Sequence, residues 1–236
     1  MRAKDSLGIL LVVLLLSSFG LLWAKTLVEF DFERKDELNK WEFLEPDRVE
    51  LKKSDPPEYG PGVLVIKDTA TDNRSVGFVK DFKLKDGIIE VLWKDAALPE
   101  DTDGPLLAKC VEYSFNNGYL LELDTDTGLH LSTITAGNES QIAGPGQMSD
   151  DKWKWIKWRF EGKNMKVKAW PAGEKEPDEW ELDVDDDTYE EGYVGFRVWS
   201  GTAEIAFYRV TDLEGPSLAV ELREKLATAW GKIKSF

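Results

Sequence analysis

The chain has 236 residues, a formal net charge of −15, one cysteine and one histidine. Such an acidic chain is poorly suited to nucleic acid, because neutralising phosphates requires clustered Lys and Arg, and we expect no nucleic-acid partner. A single cysteine excludes an internal disulfide bond and any centre built from several thiolates. We expect Cys110 to be a small buried apolar residue, and the lone His130 cannot form a metal site made of several histidines.

The N-terminal residues have the pattern of an export signal. Arg2 and Lys4 precede a long apolar run that ends at Ala24. A short basic region, an apolar region and a small residue before the cut are typical of a secretory signal peptide. An uncleaved anchor is the alternative, because Leu22 stands where the best cleavage sites carry a small residue. We predict a signal peptide or anchor over residues 1–24, and a secreted, periplasmic or cell-surface location.

Residues 25–214 carry the pattern of short β-strands. Apolar and polar residues alternate in many segments, and turn signals separate these segments at intervals of roughly ten residues. The sequence Asn116-Asn117-Gly118 predicts a hairpin that joins strands over residues 106–115 and 118–124. Since no helical period interrupts this region, we predict an all-β domain in which two antiparallel sheets pack as a sandwich.

Residues 152–201 carry the clearest strand signal and six of the ten tryptophans. Trp155 and Trp158 are three residues apart in one predicted strand, so their side chains point to opposite faces of the sheet. Only one face of a sandwich strand points to the core. One of these two indoles must therefore face away from the core, unless another element covers it.

Residues 215–236 follow a different pattern. After a Gly-Pro-Ser break, apolar residues recur at steps of three and four, which predicts an amphipathic C-terminal helix. Its apolar positions are Leu218, Leu222, Leu226, Trp230, Ile233 and Phe236. Four basic side chains stand against two acidic ones in this segment. Three docking sites suit such a helix: its own sandwich, a partner protein, or an anionic membrane surface.

Several motifs follow one another in a recognisable order. They are the runs over residues 116–128 and 137–140, the Trp-rich block over 150–201 with its Glu161-Gly162 turn, and the run over 205–210. In combination they resemble the concanavalin A-like lectin and glucanase superfamily, and most closely its LamG-like and DUF1080-like jelly rolls. The resemblance implies a jelly roll of two antiparallel sheets with a ligand on the concave sheet or its rim loops. It also implies a function: many members bind carbohydrate or act in adhesion without catalysis, and others are glycoside hydrolases.

Two departures from this family bear on ligand contact and on calcium. Lys109 stands where relatives commonly carry an arginine, which keeps the charge but removes the forked donor geometry of a guanidinium. Tyr208 stands where relatives often have an aspartate beside the phenylalanine of the last strand. Asp31 and Asp212 remain as oxygen ligands for a structural calcium ion, and solvated carboxylates at strand ends are the simpler interpretation. We expect no other cofactor.

The segment Glu122-Leu123-Asp124-Thr125-Asp126 is the sharpest catalytic candidate. Laminarinase-type glycosidases of the resembled superfamily use an E-x-D-x-E motif, and strand alternation would place Glu122, Asp124 and Asp126 on one face. Retaining chemistry needs two carboxyl groups about 5–5.5 Å apart. The alternative is a strand that ends here and continues into a turn rich in Asp, Thr and Gly. In either case Glu122 and His130 would be neighbours across a hairpin.

A binding function requires aromatic rings or polar side chains along one face of a sheet. The candidates are Trp93, Lys109, Tyr113, Tyr119, Trp155, Arg197 and Trp199. Core packing is the alternative for the tryptophans, because each buries a large apolar surface. We predict an exported, non-catalytic LamG-like module that binds glycans or a cell-surface partner. A laminarinase-type glycoside hydrolase and a structural subunit of an extracellular assembly are the alternatives.

Overall fold

The computed structural model describes residues 25–54, 56, 58–67, 74–95, 102–150 and 152–213. The predicted signal segment over residues 1–24 and the predicted helix over residues 215–236 lie outside these described residues. Within the described ranges, no helix is long and apolar enough to cross a bilayer. These ranges contain fifteen strands and two short 3₁₀ turns, Lys35–Lys40 and Pro46–Arg48.

The strands form two antiparallel sheets. In chain order they are β1 (Thr26–Phe30), β2 (Trp41–Phe43), β3 (Val49–Lys53), β4 (Gly62–Lys67), β5 (Arg74–Leu84), β6 (Gly87–Asp95), β7 (Pro105–Cys110), β8 (Asn117–Leu123), β9 (Leu129–Thr135), β10 (Asn138–Ala143), β11 (Lys154–Glu161), β12 (Asn164–Pro171), β13 (Leu182–Asp185), β14 (Gly192–Trp199) and β15 (Thr202–Thr211). Sheet A has the order β13-β12-β11-β6-β15-β4-β3, with β1 also paired to β15, and sheet B has the order β10-β9-β8-β7-β14-β5-β2. The predicted all-β sandwich of two antiparallel sheets is confirmed.

The space between the sheets is filled by apolar side chains from alternate positions of each strand. Trp158 of β11 and Trp93 of β6 both belong to this core. The ring of Trp41 on sheet B lies 5.1 Å from that of Tyr208 on sheet A, and 5.5 Å from that of Phe196 on its own sheet. Burying a side chain of this size stabilises the fold by about 1.5–3 kcal/mol, so the sandwich rests mainly on this layer.

The outer face of sheet A carries a second, smaller apolar cluster. It shows which of Trp155 and Trp158 faces away from the core. Trp155 points outward into this cluster, on the opposite side of β11 from Trp158. The segment before β4 covers it. The Tyr59 ring lies 4.2 Å from Phe207 and 5.6 Å from Trp155, and the Trp155 indole donates to Glu58 Oε2 at 2.7 Å. The predicted division of the two indoles is confirmed, and Trp155 is nevertheless buried.

The outer face of sheet B is partly covered by the connection between β7 and β8. The sequence pattern predicts a strand as far as Phe115, but β7 ends at Cys110 and residues 111–116 form a loop. The ladder stops near Lys109, whose φ of +51° takes it out of the extended conformation. The loop then folds back over the sheet. Its Tyr113 and Phe115 pack with outward apolar side chains, among them Val76, Phe78, Leu107, Leu120 and Ile134.

Candidate functional site

Beyond this loop, the outer face of sheet B carries a cluster of charged side chains. We call it the Arg197 cluster; its members are Arg74, Asp103, Glu122, His130, Glu139 and Arg197. Asp103 lies in the segment before β7 and the others lie on strands of sheet B, where Glu122 of β8 stands opposite His130 of β9 in the ladder. Because Leu121 and Leu123 point into the core, alternation points Glu122 outward. Chain segments far apart in sequence thus place these charges on one face.

Arg197 is the centre of this cluster. Its Nη1 donates to Glu122 Oε1, and its Nη2 lies 3.4 Å from Glu139 Oε1. Asp103 Oδ2 lies 3.8 Å from the same guanidinium. Arg197 is almost completely buried and also stacks over the Phe115 ring at 5.3 Å. Three carboxylates and one ring therefore hold this guanidinium in a fixed orientation.

A second guanidinium, that of Arg74, stands at the outer side of the same cluster. Its Nη2 donates to Glu139 Oε1 at 3.3 Å, and it lies 4.1 Å from the Phe115 ring. Burial and the nearby charge of Arg197 lower the pKa of Arg74. The Arg74 and Glu139 side chains remain 37% and 29% exposed, so this pair is the part of the cluster that meets solvent.

The contacts of His130 favour its charged form. Its Nε2 lies 2.7 Å from Glu122 Oε2, and its Nδ1 lies 2.9 Å from the carbonyl oxygen of Gly128. Both ring nitrogens face oxygen atoms that accept hydrogen bonds, an arrangement that suits the doubly protonated ring. Burial alone lowers the pKa of His130, but the hydrogen bonds to Glu122 and Gly128, together with the charges of Glu122 and Asp124, outweigh it and raise the pKa.

The segment predicted as a catalytic face is the end of a strand followed by a turn. Strand β8 ends at Leu123, and Asp124 is used to close a turn. Its carboxylate accepts from the Thr127 hydroxyl at 2.6 Å and from the Asp126 backbone N–H at 3.3 Å. Asp126 lies in that turn, beyond the strand, so alternation no longer places it beside Glu122. Of the two interpretations of this segment, the structure shows the strand end and turn.

The seven predicted ligand-binding residues divide between four places. Tyr113, Arg197 and Trp199 lie on the outer side of sheet B, where half-buried Trp199 stands opposite Arg74 in the ladder. Trp93 and Tyr119 are buried in the core, and Trp155 lies on the opposite sheet. Burial therefore removes Trp93, Tyr119 and Trp155 from contact with a dissolved ligand.

Lys109 lies at the fourth place, between the ends of the two sheets. Its ammonium group donates to the carbonyl oxygen of Gly162 at 3.3 Å and lies 5.2 Å from the Phe160 ring. Burial lowers its pKa. In this position the side chain links β7 to the turn between β11 and β12, and it does not face outward from sheet B.

The two carboxylates predicted to hold calcium cannot share one ion. In the ladder of β1 with β15, Thr26 stands opposite Thr211 and Phe30 opposite Tyr208, so Asp212 and Asp31 lie beyond opposite ends. Five residues of strand separate them by roughly 16 Å. Asp212 instead accepts from the Lys25 backbone N–H at 3.1 Å. Among the described residues, no group of three or more His, Cys, Asp or Glu side chains has an arrangement that could hold a metal ion.

Sequence reasoning missed Arg74, Asp103 and Glu139 as members of the cluster. Glu139 and Arg74 are 65 residues apart, and no local pattern joins them. Alternation does place Glu139 on the same face as its partner Ile134. Finding the cluster from sequence would have required the order of β5, β14 and β10 in the sheet.

No protein-family model matches the chain, and no curated protein matches it. Solved structures match it at the level of the fold. A carbohydrate binding module, CBM66 from Bacillus subtilis, has a TM-score of 0.53 and 20% identity over 70% of this chain and 91% of the module. A glycoside hydrolase family 16 endo-glucanase from Bacteroides ovatus has a TM-score of 0.54 and 10% identity over 78% and 99% of the two chains.

A protein of unknown function with a galectin-like fold, also from Bacillus subtilis, has a TM-score of 0.52 and 14% identity over 79% of this chain and 97% of that one. Identities this low carry information about the fold and not about the ligand. The resemblance seen in the motifs is confirmed at that level. The chain has the jelly-roll fold of the concanavalin A-like proteins.

Proposed function

We propose that this protein is an exported, non-catalytic module that binds a glycan on the outer face of sheet B. The observation that carries the proposal is the Arg197 cluster, which reaches solvent at Arg74 and Glu139 beside the half-buried Trp199. Among proteins of this fold, one matched structure is described as a carbohydrate binding module and another as an endo-glucanase in complex with a saccharide ligand.

The chemistry of the cluster suits a sugar. Sugar hydroxyls both donate and accept hydrogen bonds, and the exposed Arg74–Glu139 pair offers a donor and an acceptor side by side. An aromatic ring such as Trp199 can stack on the apolar C–H face of a pyranose. Arg197 contacts Glu139 and the Phe115 ring contacts Arg74, so little conformational entropy of this pair would be lost on binding.

The arrangement of carboxylates supports binding without hydrolysis. Glycoside hydrolysis needs two carboxyl groups flanking the bond to be cut. Both oxygens of Glu122 are engaged, one by Arg197 and the other by His130. Asp124 closes its own turn, and Asp126 lies beyond the end of the strand that carries Glu122.

Binding is tested with a glycan array, followed by calorimetry on the strongest ligand. We expect Trp199→Ala to weaken the affinity at least roughly tenfold, about 1.4 kcal/mol. Trp153→Ala is the matched control, because Trp153 is a half-buried indole on the outer face of the other sheet. Affinity that is unchanged in Trp199→Ala, or lowered equally in both variants, would contradict the proposed face.

The non-catalytic part is tested by turnover of the same glycans. We expect no release of reducing sugar from a panel of β-glucans and xylans. Hydrolysis that Glu122→Gln abolishes would establish a glycoside hydrolase instead. The exported location is tested by fractionating cells and sequencing the mature N-terminus; a cytoplasmic protein that retains residues 1–24 would contradict it.

A further inference from the structure

The outer face of sheet A can be divided into three rows across β11, β6 and β15. The first row is Trp155, Leu92 and Phe207; the second is Lys157, Glu90 and Arg209; the third is Arg159, Ile88 and Thr211. These positions alternate with core residues such as Ile89 and Val210, so their side chains point away from the sandwich. Any burial in these rows requires a cover from outside the sheet.

Two covers are present over part of this face. Tyr59 and Glu58 lie over the first row, as described above. Glu176, from the connection between β12 and β13, lies over the β11 side of the second row, where its Oε1 is 2.8 Å from Lys157 Nζ. Both covers are loops whose side chains complete the hydrogen bonds or ion pairs of the groups beneath them.

The remaining corner is equally buried. We call it the exit patch; it consists of Ile88, Glu90, Arg209 and Thr211. Glu90 and Arg209 are 2% and 0% exposed, Ile88 is 8% exposed and Thr211 is 0% exposed. Glu90 Oε2 accepts from Arg209 Nε at 3.0 Å, which pairs the two charges but does not by itself shield them from water. Long charged side chains on an open sheet face keep their ends in solvent.

The chain leaves the sandwich at this corner. Thr211 is the last residue of β15, and Asp212 is tied to the start of β1 by a backbone hydrogen bond to the Lys25 carbonyl at 3.1 Å. Residue 214 therefore follows Thr211, a member of the exit patch, by only three residues in the sequence. The segment that follows has apolar side chains at Leu218, Leu222 and Leu226, spaced so that they share one face of a helix.

We infer that residues 214–236 fold back as a helix over the exit patch of their own chain. A helix over residues 215–236 would be about 33 Å long. The three strands that carry the rows span only about 10 Å, so the segment is long enough to cross them. Its apolar stripe packs on Ile88 and on the aliphatic part of Arg209, and the enclosed Glu90–Arg209 pair is thereby kept from water.

Hydrogen–deuterium exchange on the whole chain, read by mass spectrometry, tests this docking. Most of the stability of a helix in a protein comes from the packing of its apolar face, so an unpacked peptide exchanges faster. We therefore expect amides of residues 214–236 to exchange at least roughly tenfold more slowly in the protein than in a synthetic peptide of the same sequence. Exchange at the rate of the peptide would overturn the inference.

Two variants identify the docking surface. Ile88→Lys alters an outward side chain of the exit patch and should raise tail exchange to the rate of the peptide. Leu222→Asp with Leu226→Asp should do the same from the tail side, and it leaves every described residue of the sandwich unchanged. Val111→Lys, at an exposed apolar residue of the β7–β8 loop, is the matched control and should change nothing.

The other occupants give distinct results. Protection that appears only with phosphatidylglycerol vesicles would show that the tail binds a lipid surface. Protection that grows with protein concentration, together with a dimer mass by light scattering, would show that it docks on a second copy. Either result, or tail protection that is unchanged in Ile88→Lys, would overturn docking on the exit patch of the same chain.

Discussion

The outer faces of the two sheets both carry ion pairs, but they differ in how far these pairs are enclosed. On sheet A a chain of charges runs from Arg209 through Glu90, Lys157 and Glu176 to Lys168, with contacts of 2.5–2.9 Å between successive members. All five are buried or half-buried. On sheet B the Arg197 cluster is buried at its centre and reaches solvent at Arg74 and Glu139.

We propose that this difference separates a structural role from a binding role. Charges that are enclosed and paired within the chain have no free direction from which to meet a ligand. They instead fix which elements lie on the sheet, because any misplaced element would leave a buried charge unpaired. A cluster that is fixed on one side and open on the other has its geometry set before a ligand arrives.

The largest expected effect comes from breaking the enclosed chain of charges at Glu90. In Glu90→Gln the cations of Arg209 and Lys157 stay buried and lose their shared partner. We expect the free energy of unfolding to fall by about 3–5 kcal/mol. Urea denaturation measures it, and a loss below about 1 kcal/mol would show that these charges are solvated.

A substitution at Glu176 tests the loop that covers these charges, because Glu176 pairs with both Lys157 and Lys168. Burial alone raises the pKa of Glu176, but the hydrogen bonds and charges of Lys157 and Lys168 outweigh burial, so the pKa is lowered overall. Its stabilisation is therefore present above the unfolded value of about 4.3 and is lost as the pH falls through the folded value. We expect Glu176→Gln to be about 1–3 kcal/mol less stable than the wild type at pH 7.

This gap in unfolding free energy should close as the pH falls toward 3. Urea denaturation of both proteins across that pH range is the measurement. A gap that stays constant with pH would show that the carboxylate does not act through its charge.

His130 tests the Arg197 cluster with the opposite pH dependence. Because its pKa is raised, its stabilisation is fully present below the unfolded value of about 6.5 and is lost as the pH rises through the folded value. We expect His130→Gln to lower the unfolding free energy by about 1 kcal/mol at pH 5.5 and by less at pH 9. A larger effect at pH 9 would show that the cluster does not favour the charged form of His130.

Glu139→Gln should have the smallest effect on stability. Its carboxylate is partly exposed, and ion pairs of this kind contribute about 0–1 kcal/mol. Glycan affinity should nevertheless fall, because an acceptor on the open side of the cluster becomes in part a donor. Calorimetry and urea denaturation on the same variant give the two values; a loss of stability without a loss of affinity would make Glu139 structural.

Alternation along the strands predicted most of the fold. It assigned Trp155 and Trp158 to opposite faces of β11, and the structure agrees. Alternation gave a wrong strand end at the β7–β8 connection. Apolar and polar residues continue to alternate from Val111 to Phe115, although the backbone has already left the ladder. That loop is apolar because it packs on the outer face of sheet B, and a sequence pattern does not distinguish the two sides of a sheet.

The candidate site was predictable only in part. Arg197 and Trp199 were among the predicted ligand residues, and Glu122 was predicted to lie next to His130. Whether Glu122 belongs to a catalytic pair or an ion pair depends on where β8 ends and on an arginine 75 residues away. Long-range register decides both, and single-sequence patterns contain little information on register.

The central claim is that the open side of the Arg197 cluster binds glycan, while the enclosed face of sheet A does not. Chemical-shift mapping of backbone amides and tryptophan indoles during a titration with the strongest glycan ligand tests it most directly. We expect the largest shifts at Arg74, Glu139 and Trp199, and none at Trp153 or Lys157. Shifts concentrated at Trp153 and Lys157 would contradict the account.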